Sequence, residues 1–336
     1  MTVAIKKVRH NVAIAVADAM DTAGVETHIP RSSTVFLKVN LGWDLFIPGS
    51  VTNPAVFEGV VLRLKDHAAK LYVVESDQVL ENVEKAYRES RIREIAERHG
   101  VSWINLSRRP RIIRHIPENR VIQDVPIPDI LDQGIVVTLP VMKTHAKTTV
   151  SLSLKNQWGC LPKFRHQYHL CLTEAIADVN AALNVRFAVM DGTIALEGNG
   201  PKSGRPREEG LIGAGADLIE VDSVFARLMG FDPRKIPHLV EAERRGLGRI
   251  GTSFIGDDIG RIAPFRPAGH NLVSGVETLC RRSFFRRLVF DTPLFLVMLV
   301  GAKTYYKVND IFIGRRIRER IRKHPIYGKY FYSTDR

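Results

Sequence analysis

The stretch "NPAVFEGVVLRLKDHAAKLYVVESD", Asn53 to Asp77, places a helix start and a buried strand in direct succession. Asn53 suits the position before the first helical turn and Pro54 suits the first helical position, so a helix is predicted from here. The run "KLYVVESD" predicts an apolar strand, and "TVFLKVNL", Thr34 to Leu41, predicts another strand before the helix. Strand, helix and strand in this order predict a βαβ unit with two parallel strands.

The same alternation of strands and helices continues along the chain to about residue 260. The charged run from Glu81 to Gly100 predicts a helix, a second helix is predicted near His169 to Leu183, and the runs "GIVVTLP" and "RFAVMDG" predict strands. We therefore predict an α/β fold for residues 1–265, with a mostly parallel sheet that carries helices on both faces. Residues 281–336 differ in composition and are predicted to form a basic, partly apolar helical tail.

One segment of the predicted α/β domain is basic and lacks acids. Between Asp132 and Glu174 the chain contains no Asp or Glu, and its central run is "VMKTHAKTTVSLSLKNQWG", residues 141–159. The alternation in this run predicts half-buried extended chain, with Lys143 and Lys155 on the polar face. Because lysines enter a core only beside negative charge, this face indicates either carboxylates from elsewhere in the chain or an anionic ligand. A solvated edge face is the remaining interpretation.

Polar side chains also follow several of the predicted strands. Ligands of open α/β sheets bind where the carboxyl ends of the strands meet, so we expect these side chains to form one site. The lysines would neutralise a small carboxylate or phosphate, the amides would orient it, and a histidine or carboxylate would transfer a proton. Each side chain taken singly is also explained as a cap or turn residue. The candidate substrate-binding residues are Lys38, Asn40, Lys143, Lys155, Asn156 and Asn199, and the candidate catalytic residues are His145, His169, Asp191 and Glu197.

The loop "DGTIALEGNGPKSGRP" offers oxygen ligands as well as backbone freedom. Asp191, Glu197 and Asn199 would suit Mg²⁺ or Mn²⁺, although no spacing here is diagnostic of a metal, and a structural turn explains the loop equally well. Further on, Asp222 lies among apolar residues of a predicted helix. A buried carboxylate needs a partner, and we expect Lys155 to provide it.

Three cysteines, Cys160, Cys171 and Cys280, show neither iron–sulfur nor zinc spacing. We therefore expect a reducing compartment and no iron–sulfur cluster held by this chain alone. The N-terminal run "MTVAIKKVRHNVAIAVADAM" includes Asp18 in an interrupted apolar pattern, which favours a cytoplasmic protein. The chain also lacks the GxGxxG and GxxxxGK[ST] loops of common nucleotide-binding sites.

The tail carries most of the positive charge. Of the net charge of +13, +10 falls from Arg281 onward. An apolar helix shorter than the ~20 residues that cross a bilayer precedes a helix in which Ile313, Ile317 and Ile321 recur among arginines. This basic amphipathic pattern predicts peripheral binding to an anionic membrane, on its inner face. Confinement of the charge to the tail argues against nucleic acid, and packing within the chain or an oligomer is the other interpretation.

Five segments together resemble the domain of unknown function 362 (DUF362) family. They are "LKVNLG", "LPVMKTHAKTTVSLSLKNQWGCLP", "YHLCLTEAIADVN", "VMDGTIALEGNGPKSGRP" and "GLIGAGADLIEVDSVFARLMGFDP", in the family's order over about residues 34–260. The resemblance implies an α/β domain with a shared polar site. Many relatives carry a ferredoxin-like module with tetracysteine clusters, which this chain lacks, so an electron-transfer role would need a separate partner.

Two functions follow from these observations. We favour an enzyme that acts on a small anionic substrate at the basic site. The alternative is a non-catalytic binding or accessory protein that partners a separate iron–sulfur redox protein. Convergence of the named acids and bases in one pocket would favour the enzyme.

Overall fold

The structure is a computed structural model that describes residues 3–44, 47–78, 82–269, 275–276, 279–281, 283–284, 286–290, 292 and 294–331. Its strands are β1 (Val3–Lys7), β2 (Thr34–Lys38), β3 (Lys70–Glu75), β4 (Ser102–Asn105), β5 (Arg111–His115), β6 (Asp124–Pro128), β7 (Ile135–Thr138), β8 (Val141–His145), β9 (Thr149–Ser151), β10 (Val185–Glu197), β11 (Arg205–Gly215) and β12 (Phe254–Gly256). Ten of them form one sheet in the order β12-β1-β11-β10-β7-β2-β3-β4, with β8 beside β10 and β9 beside β8. Strands β5 and β6 form a separate antiparallel pair.

The sheet is mostly parallel, as the sequence predicts. Strands β10, β7, β2, β3 and β4 run parallel to one another through its middle. Antiparallel pairs join β11 to β1 and β10, and β9 to β8. The carboxyl ends of β2, β3 and β7 therefore lie at one edge, and β8 extends the chain beyond β7 at that edge.

Helices cover both faces of the sheet. They are α1 (Val12–Thr22), α2 (Val25–His28), α3 (Pro54–Leu64), α4 (Val83–Glu89), α5 (Ile92–Arg98), α6 (Ser153–Asn156), α7 (Leu172–Ala182), α8 (Leu218–Leu228) and α9 (Pro237–Arg244). One buried apolar cluster includes side chains of α1, α3 and α5, and a second includes those of α7, α8 and α9. The fold class is therefore the predicted one, with a sheet between two helical layers.

The helix predicted after Asn53 begins where the sequence indicates. The run from Glu81 to Gly100, in contrast, does not form one continuous helix. The side chain of Asn53 accepts the N–H of Ala55 at 2.9 Å at the start of α3. The run from Glu81 to Gly100 was expected to be one helix, but α4 and α5 are separate. Arg91 between them adopts a left-handed φ of 62°, which interrupts the helical hydrogen bonding.

The basic segment leaves the extended conformation earlier than its alternation predicts. Strand β9 ends at Ser151, and the helical turn α6 starts at Ser153. The cause is Asp222, whose carboxylate accepts the N–H groups of Ser153 at 2.6 Å and Leu154 at 2.9 Å. Two backbone amides thus partner this buried carboxylate, and the expected pairing with Lys155 is wrong.

Four helices of the C-terminal region have both ends within the described part of the chain. They are a five-residue helix (Arg286–Phe290), a 16-residue helix that we call the roof helix (Leu294–Asn309), the arginine helix (Arg315–Arg322) and the terminal helix (Gly328–Phe331). A π-helical turn, Asp310–Gly314, joins the roof helix to the arginine helix. Within the described ranges, we find no helix with the length and apolar character needed to cross a bilayer.

The isoleucine stripe of the arginine helix faces the α/β domain. Ile321 is 7% exposed and belongs to the same apolar cluster as α1 and α3, against which Ile317 also packs. Tyr327, just beyond this helix, is 1% exposed in that cluster. The side chain of Ile313 lies outside the described part of the chain. For Ile317 and Ile321 the packing interpretation therefore replaces membrane binding, because a neighbouring protein surface buries them.

Candidate functional site

A cavity of about 290 Å³ lies at the carboxyl-end edge of the sheet. One side is basic, and among the described residues of its wall Glu75 is the single carboxylate. The roof helix covers the other side with apolar side chains. The basic wall contains Lys143, Lys147, Lys155, Arg165, Lys202, Arg281, His145, His166 and His169, and the roof contains Phe295, Met298, Leu299, Ala302 and Tyr306.

The carboxylate of Glu75 is already neutralised by Lys38. The Lys38 Nζ donates to Glu75 Oε2 at 2.8 Å, and both side chains are buried. Glu75 also accepts the N–H groups of Leu41 at 3.2 Å and Ser76 at 2.8 Å. Lys38 therefore lies beneath the cavity without lining it, and the charge of Glu75 is already compensated by this lysine.

Glycine at position 159 lets the chain approach this ion pair. A Cβ atom there would lie 2.5 Å from Glu75 Oε1 and 2.9 Å from Lys38 Nζ. Contacts this short require the ion pair to move. The segment "QWGCLP" thus has a steric reason for its glycine, and that reason is visible only once β2 and β3 are placed beside it.

Asn40 and the carbonyl of Ser50 hold Lys143 at the base of the cavity, and Asn156 in turn holds Asn40. The Lys143 Nζ donates to Asn40 Oδ1 at 2.9 Å and to the carbonyl of Ser50 at 2.7 Å. The Asn40 amide donates to Asn156 Oδ1 at 3.0 Å, and the Asn156 amide donates to Thr138 Oγ1 at 2.9 Å. Burial lowers the pKa of Lys143 to about 7, even though Glu75 opposes this shift. The predicted residues Asn40, Lys143 and Asn156 are therefore one hydrogen-bonded group.

Lys155 differs from Lys143 because no described residue accepts a hydrogen bond from it. Its Nζ lies 5.4 Å from the centre of the Trp158 ring, at the cavity wall. Burial, and next the positive charges of Arg165 and Lys143, lower the pKa of Lys155 to about 7. An amine in this environment exchanges its proton near neutral pH, and an anion in the cavity would favour its charged form.

His145 is held as a neutral ring. Its Nδ1 accepts the N–H of Lys147 at 3.0 Å, which leaves the hydrogen of the neutral imidazole on Nε2. Burial, and next the charge of Lys155, keep the pKa of His145 well below its usual value. His145 can therefore donate a hydrogen bond from Nε2 to a ligand. His169, the other predicted histidine, also lines the wall.

Asp191 lies outside the wall, although the sequence places it with Lys143, Lys155 and Asn156. The strand that contains it runs for 13 residues, so Asp191 falls in the middle of β10 rather than at its end. Its carboxylate accepts the N–H of Asn53 at 2.7 Å and the hydroxyl of Thr193 at 2.6 Å. Burial raises the pKa of Asp191 to about 6. It acts as a structural hydrogen-bond acceptor next to the site.

Glu197 and Asn199 also lie outside the wall. Glu197 accepts the N–H of Arg266 at 3.1 Å and faces Arg207 at 3.3 Å, whereas Asn199 accepts the N–H of Gly269 at 3.0 Å. Asp191 and Glu197 are six residues apart on one strand, so their backbones are separated by roughly 20 Å. These oxygens therefore do not form the metal site that the loop suggested. Among all residues that the structure describes, three or more His, Cys, Asp or Glu side chains nowhere form a metal-binding group.

The main features that sequence reasoning missed come from distant segments. Lys202 lies over the Trp43 ring at 4.3 Å and near the Tyr306 ring at 5.6 Å, while Phe295 stacks on His166 at 5.0 Å. These contacts fix the roof helix over the cavity at two points. The glycine- and proline-rich loop that contains Lys202 is a sequence signal for this residue. The roof helix lies about 100 residues further along the chain, and no local sequence pattern indicates that it covers the cavity.

Comparison with known proteins identifies the family but not an activity. A model of the domain of unknown function 362 family matches residues 35–227, more than half of the chain, so the chain belongs to this family. A thylakoid-associated protein of Synechocystis is 34% identical over 125 residues, which are 35% of this chain and 39% of that protein. The match thus spans about two fifths of the relative's length. No solved structure matches the chain. The family region includes the basic wall from Lys143 to Lys202, whereas the roof helix lies beyond it.

Proposed function

We propose that this member of the family is an enzyme that binds a small anionic substrate, bearing a phosphate or carboxylate, in the cavity under the roof helix. The observation that supports this proposal is the charge of the wall. Six lysines and arginines line it, and its single described carboxylate, Glu75, is paired with Lys38. Such a surface attracts anions and repels cations.

The two central lysines give the second part of the argument. With the pKa of Lys143 and Lys155 at about 7, each is partly neutral at physiological pH. A phosphate or carboxylate beside them would restore their full charge, so binding would take up protons. This coupling is expected when a ligand brings negative charge beside buried amines whose charged form is disfavoured by burial.

Proton transfer is the chemistry that this wall supports best. A group with a pKa near the working pH is an efficient general acid or base, and Lys155 meets this condition while facing the cavity. The neutral His145 would polarise the substrate by donating from Nε2. We therefore assign proton transfer to Lys155, orientation to Asn40 and Asn156, and charge neutralisation to Lys143.

A membrane position accompanies this proposal. The relative from Synechocystis reported above is a thylakoid-associated protein. In this chain the arginine helix exposes Arg316, Arg320 and Arg322, which would attract anionic lipid headgroups. We infer that the cytoplasmic enzyme binds peripherally to an anionic membrane through its C-terminal region.

The test is anion binding measured by calorimetry and by thermal unfolding, with inorganic phosphate, pyrophosphate and citrate as probes. We expect phosphate or pyrophosphate to bind and stabilise the wild-type chain, and Lys155→Met to weaken that binding at least tenfold at pH 6. The control is Lys65→Met, which removes an exposed lysine at the start of the loop before β3. Equal binding by the wild type and both variants would contradict the assignment of the cavity.

Turnover then separates the enzyme from a binding protein. Ligands that bind are incubated with the protein and analysed by mass spectrometry. Conversion that is lost in Lys155→Met supports the enzyme. Tight binding of every ligand without conversion would instead favour the accessory role, with a separate redox protein as partner.

A further inference from the structure

The roof helix is apolar on more than the face that covers the cavity. Phe295, Met298 and Leu299 face the cavity, yet Val297 and Val300 on the outer side are 65% and 66% exposed. A helix that only closed a cavity in water would be expected to carry polar residues outside. The outer face of the first half of this helix therefore has the composition of a surface that contacts an apolar phase, whereas the exposed Thr304 and Lys307 in its second half are polar.

The cavity itself joins two kinds of surface. Lys143, Lys155 and Arg165 form one side, and the apolar roof forms the other. An inorganic anion would satisfy the lysines and leave the roof against water, which is unfavourable for apolar surface. A ligand that satisfies both sides has an anionic group joined to hydrocarbon.

Size adds a constraint on that ligand. A cavity of about 290 Å³ lies at the lower end of the range of small-molecule pockets, which is about 300–1,000 Å³. This holds a phosphate or carboxylate with a few carbons. A longer chain would extend beyond the cavity, and the apolar roof residues Phe295, Met298 and Leu299 are the surface against which it would leave.

We propose that the substrate of the cavity is an amphiphilic anion, a phosphate or carboxylate on a hydrocarbon chain, taken from an anionic bilayer on which the outer face of the roof helix lies. This rests on the proposed function, since it specifies the ligand of the same site. Charge complementarity selects the bilayer as the occupant of the outer face, because the exposed Arg316, Arg320 and Arg322 lie on the arginine helix, one π-helical turn after the roof helix.

The decisive measurement compares matched ligands on the full-length wild-type chain. Inorganic phosphate, butyl phosphate and octyl phosphate are titrated by calorimetry, below the concentration at which octyl phosphate forms micelles, with octanol as the uncharged control. We expect octyl phosphate to bind at least tenfold more tightly than inorganic phosphate, and octanol to bind more weakly than both. Equal affinity for the three phosphates would overturn the amphiphile and leave the anionic site intact. Absence of binding by all three would contradict the site itself.

Two variants locate the hydrocarbon. Leu299→Gln, in the roof, should reduce the preference for octyl phosphate over inorganic phosphate, whereas Ile14→Gln, at an exposed position on α1, should leave it unchanged. An unchanged preference in Leu299→Gln would place the hydrocarbon elsewhere and would overturn the proposal.

The outer face is tested with vesicles of phosphatidylcholine and phosphatidylglycerol. We expect the full-length chain to sediment with them, and the double variant Val297→Gln, Val300→Gln to bind at least fivefold less. The Ile14→Gln variant provides the matched control for loss of an exposed apolar side chain. Equal sedimentation of the wild type and the double variant would show that the roof helix does not lie on the bilayer.

Discussion

Lys155 is a buried lysine that lies beside other positively charged side chains, an environment that disfavours its charged form. It faces the cavity among other cations, and its pKa of about 7 lies well below the ordinary lysine value. Anion binding needs the charged amine, so affinity should be highest below pH 7 and should fall as the pH rises through that value. We expect the affinity for inorganic phosphate to decrease between pH 6 and pH 9 by more than the decrease in Lys155→Met. Calorimetry between pH 6 and pH 9 measures the phosphate affinity of both proteins. Identical pH profiles for the wild type and Lys155→Met would show that Lys155 does not titrate at the site.

The same lysine should make the fold less stable. Its folded pKa lies below the unfolded value of about 10.4, so the cost of burying its charge is fully present below pH 7. That cost is lost as the pH rises from 7 to about 10.4, where both states are neutral. We therefore expect Lys155→Met to raise the free energy of unfolding at pH 6, and to raise it by a smaller amount at pH 9.5.

Urea unfolding at the two pH values tests this stability prediction. Lys65→Met, whose side chain is exposed, should change the unfolding free energy by less than about 0.5 kcal/mol at both. A destabilised Lys155→Met at pH 6 would mean that the lysine is held by contacts that outweigh its loss of water. Stabilisation with loss of ligand binding is the trade-off expected at a functional site.

At the scale of elements, two glycines should respond in opposite ways to the same substitution. Gly159→Ala would push on the Lys38–Glu75 pair and should destabilise the fold by about 1–3 kcal/mol. Gly301 lies within the roof helix with nothing within 4 Å of its added Cβ. Gly301→Ala should therefore stabilise that helix by up to about 1 kcal/mol. Thermal unfolding of both variants measures the difference, and a loss of stability in Gly301→Ala would indicate an unseen contact on the outer face.

The elements show which parts of the fold local sequence can predict. The cap at Asn53 and the apolar run of β3 depend on neighbouring residues, and they predict their elements correctly. Strand β10 was expected to end near Asp191, but pairing with β11 carries it on to Glu197. The turn into α6 depends on Asp222, about 70 residues away. Contacts with residues distant in the sequence determine where β10 ends and where α6 begins, so local sequence patterns do not predict these two boundaries.

The candidate site divides in the same way. Lys143, Lys155 and Asn156 could be found together because one acid-free segment carries all three. Asn40 could be added because it lies near the carboxyl end of a predicted parallel strand. Asp191 was misplaced through the error in the length of β10. The apolar roof could not be predicted, since only the folded chain brings residues 294–309 over the basic wall.

At the scale of the whole molecule, the C-terminal region is part of the packed structure. The sequence presents it as a basic segment that differs from the α/β domain, and the family match ends at residue 227. Nevertheless Tyr306 contacts Trp43 edge-on at 5.2 Å, and Arg91 donates to the carbonyl of Lys329 at 3.0 Å. The helices that carry the exposed apolar and basic residues are thus anchored to the domain that holds the cavity. The proposed membrane contact and ligand entry would then occur on parts of the chain that pack against each other.

This anchoring predicts a large cost for losing Tyr327. The side chain is 1% exposed, stacks on His324 with ring centres 4.5 Å apart, and burial raises the pKa of its phenol. Tyr327→Ala should therefore cost about 3–5 kcal/mol of unfolding free energy, the usual range for removing a buried aromatic ring. Tyr305→Ala is the matched control, because Tyr305 is exposed on the roof helix and should cost less than about 1 kcal/mol. If the C-terminal region were a loosely attached membrane tail, both variants would unfold at the same urea concentration as the wild type. We expect only Tyr327→Ala to lose stability. If this variant also binds octyl phosphate more weakly at urea concentrations below its unfolding transition, then packing of the C-terminal region supports the covered cavity.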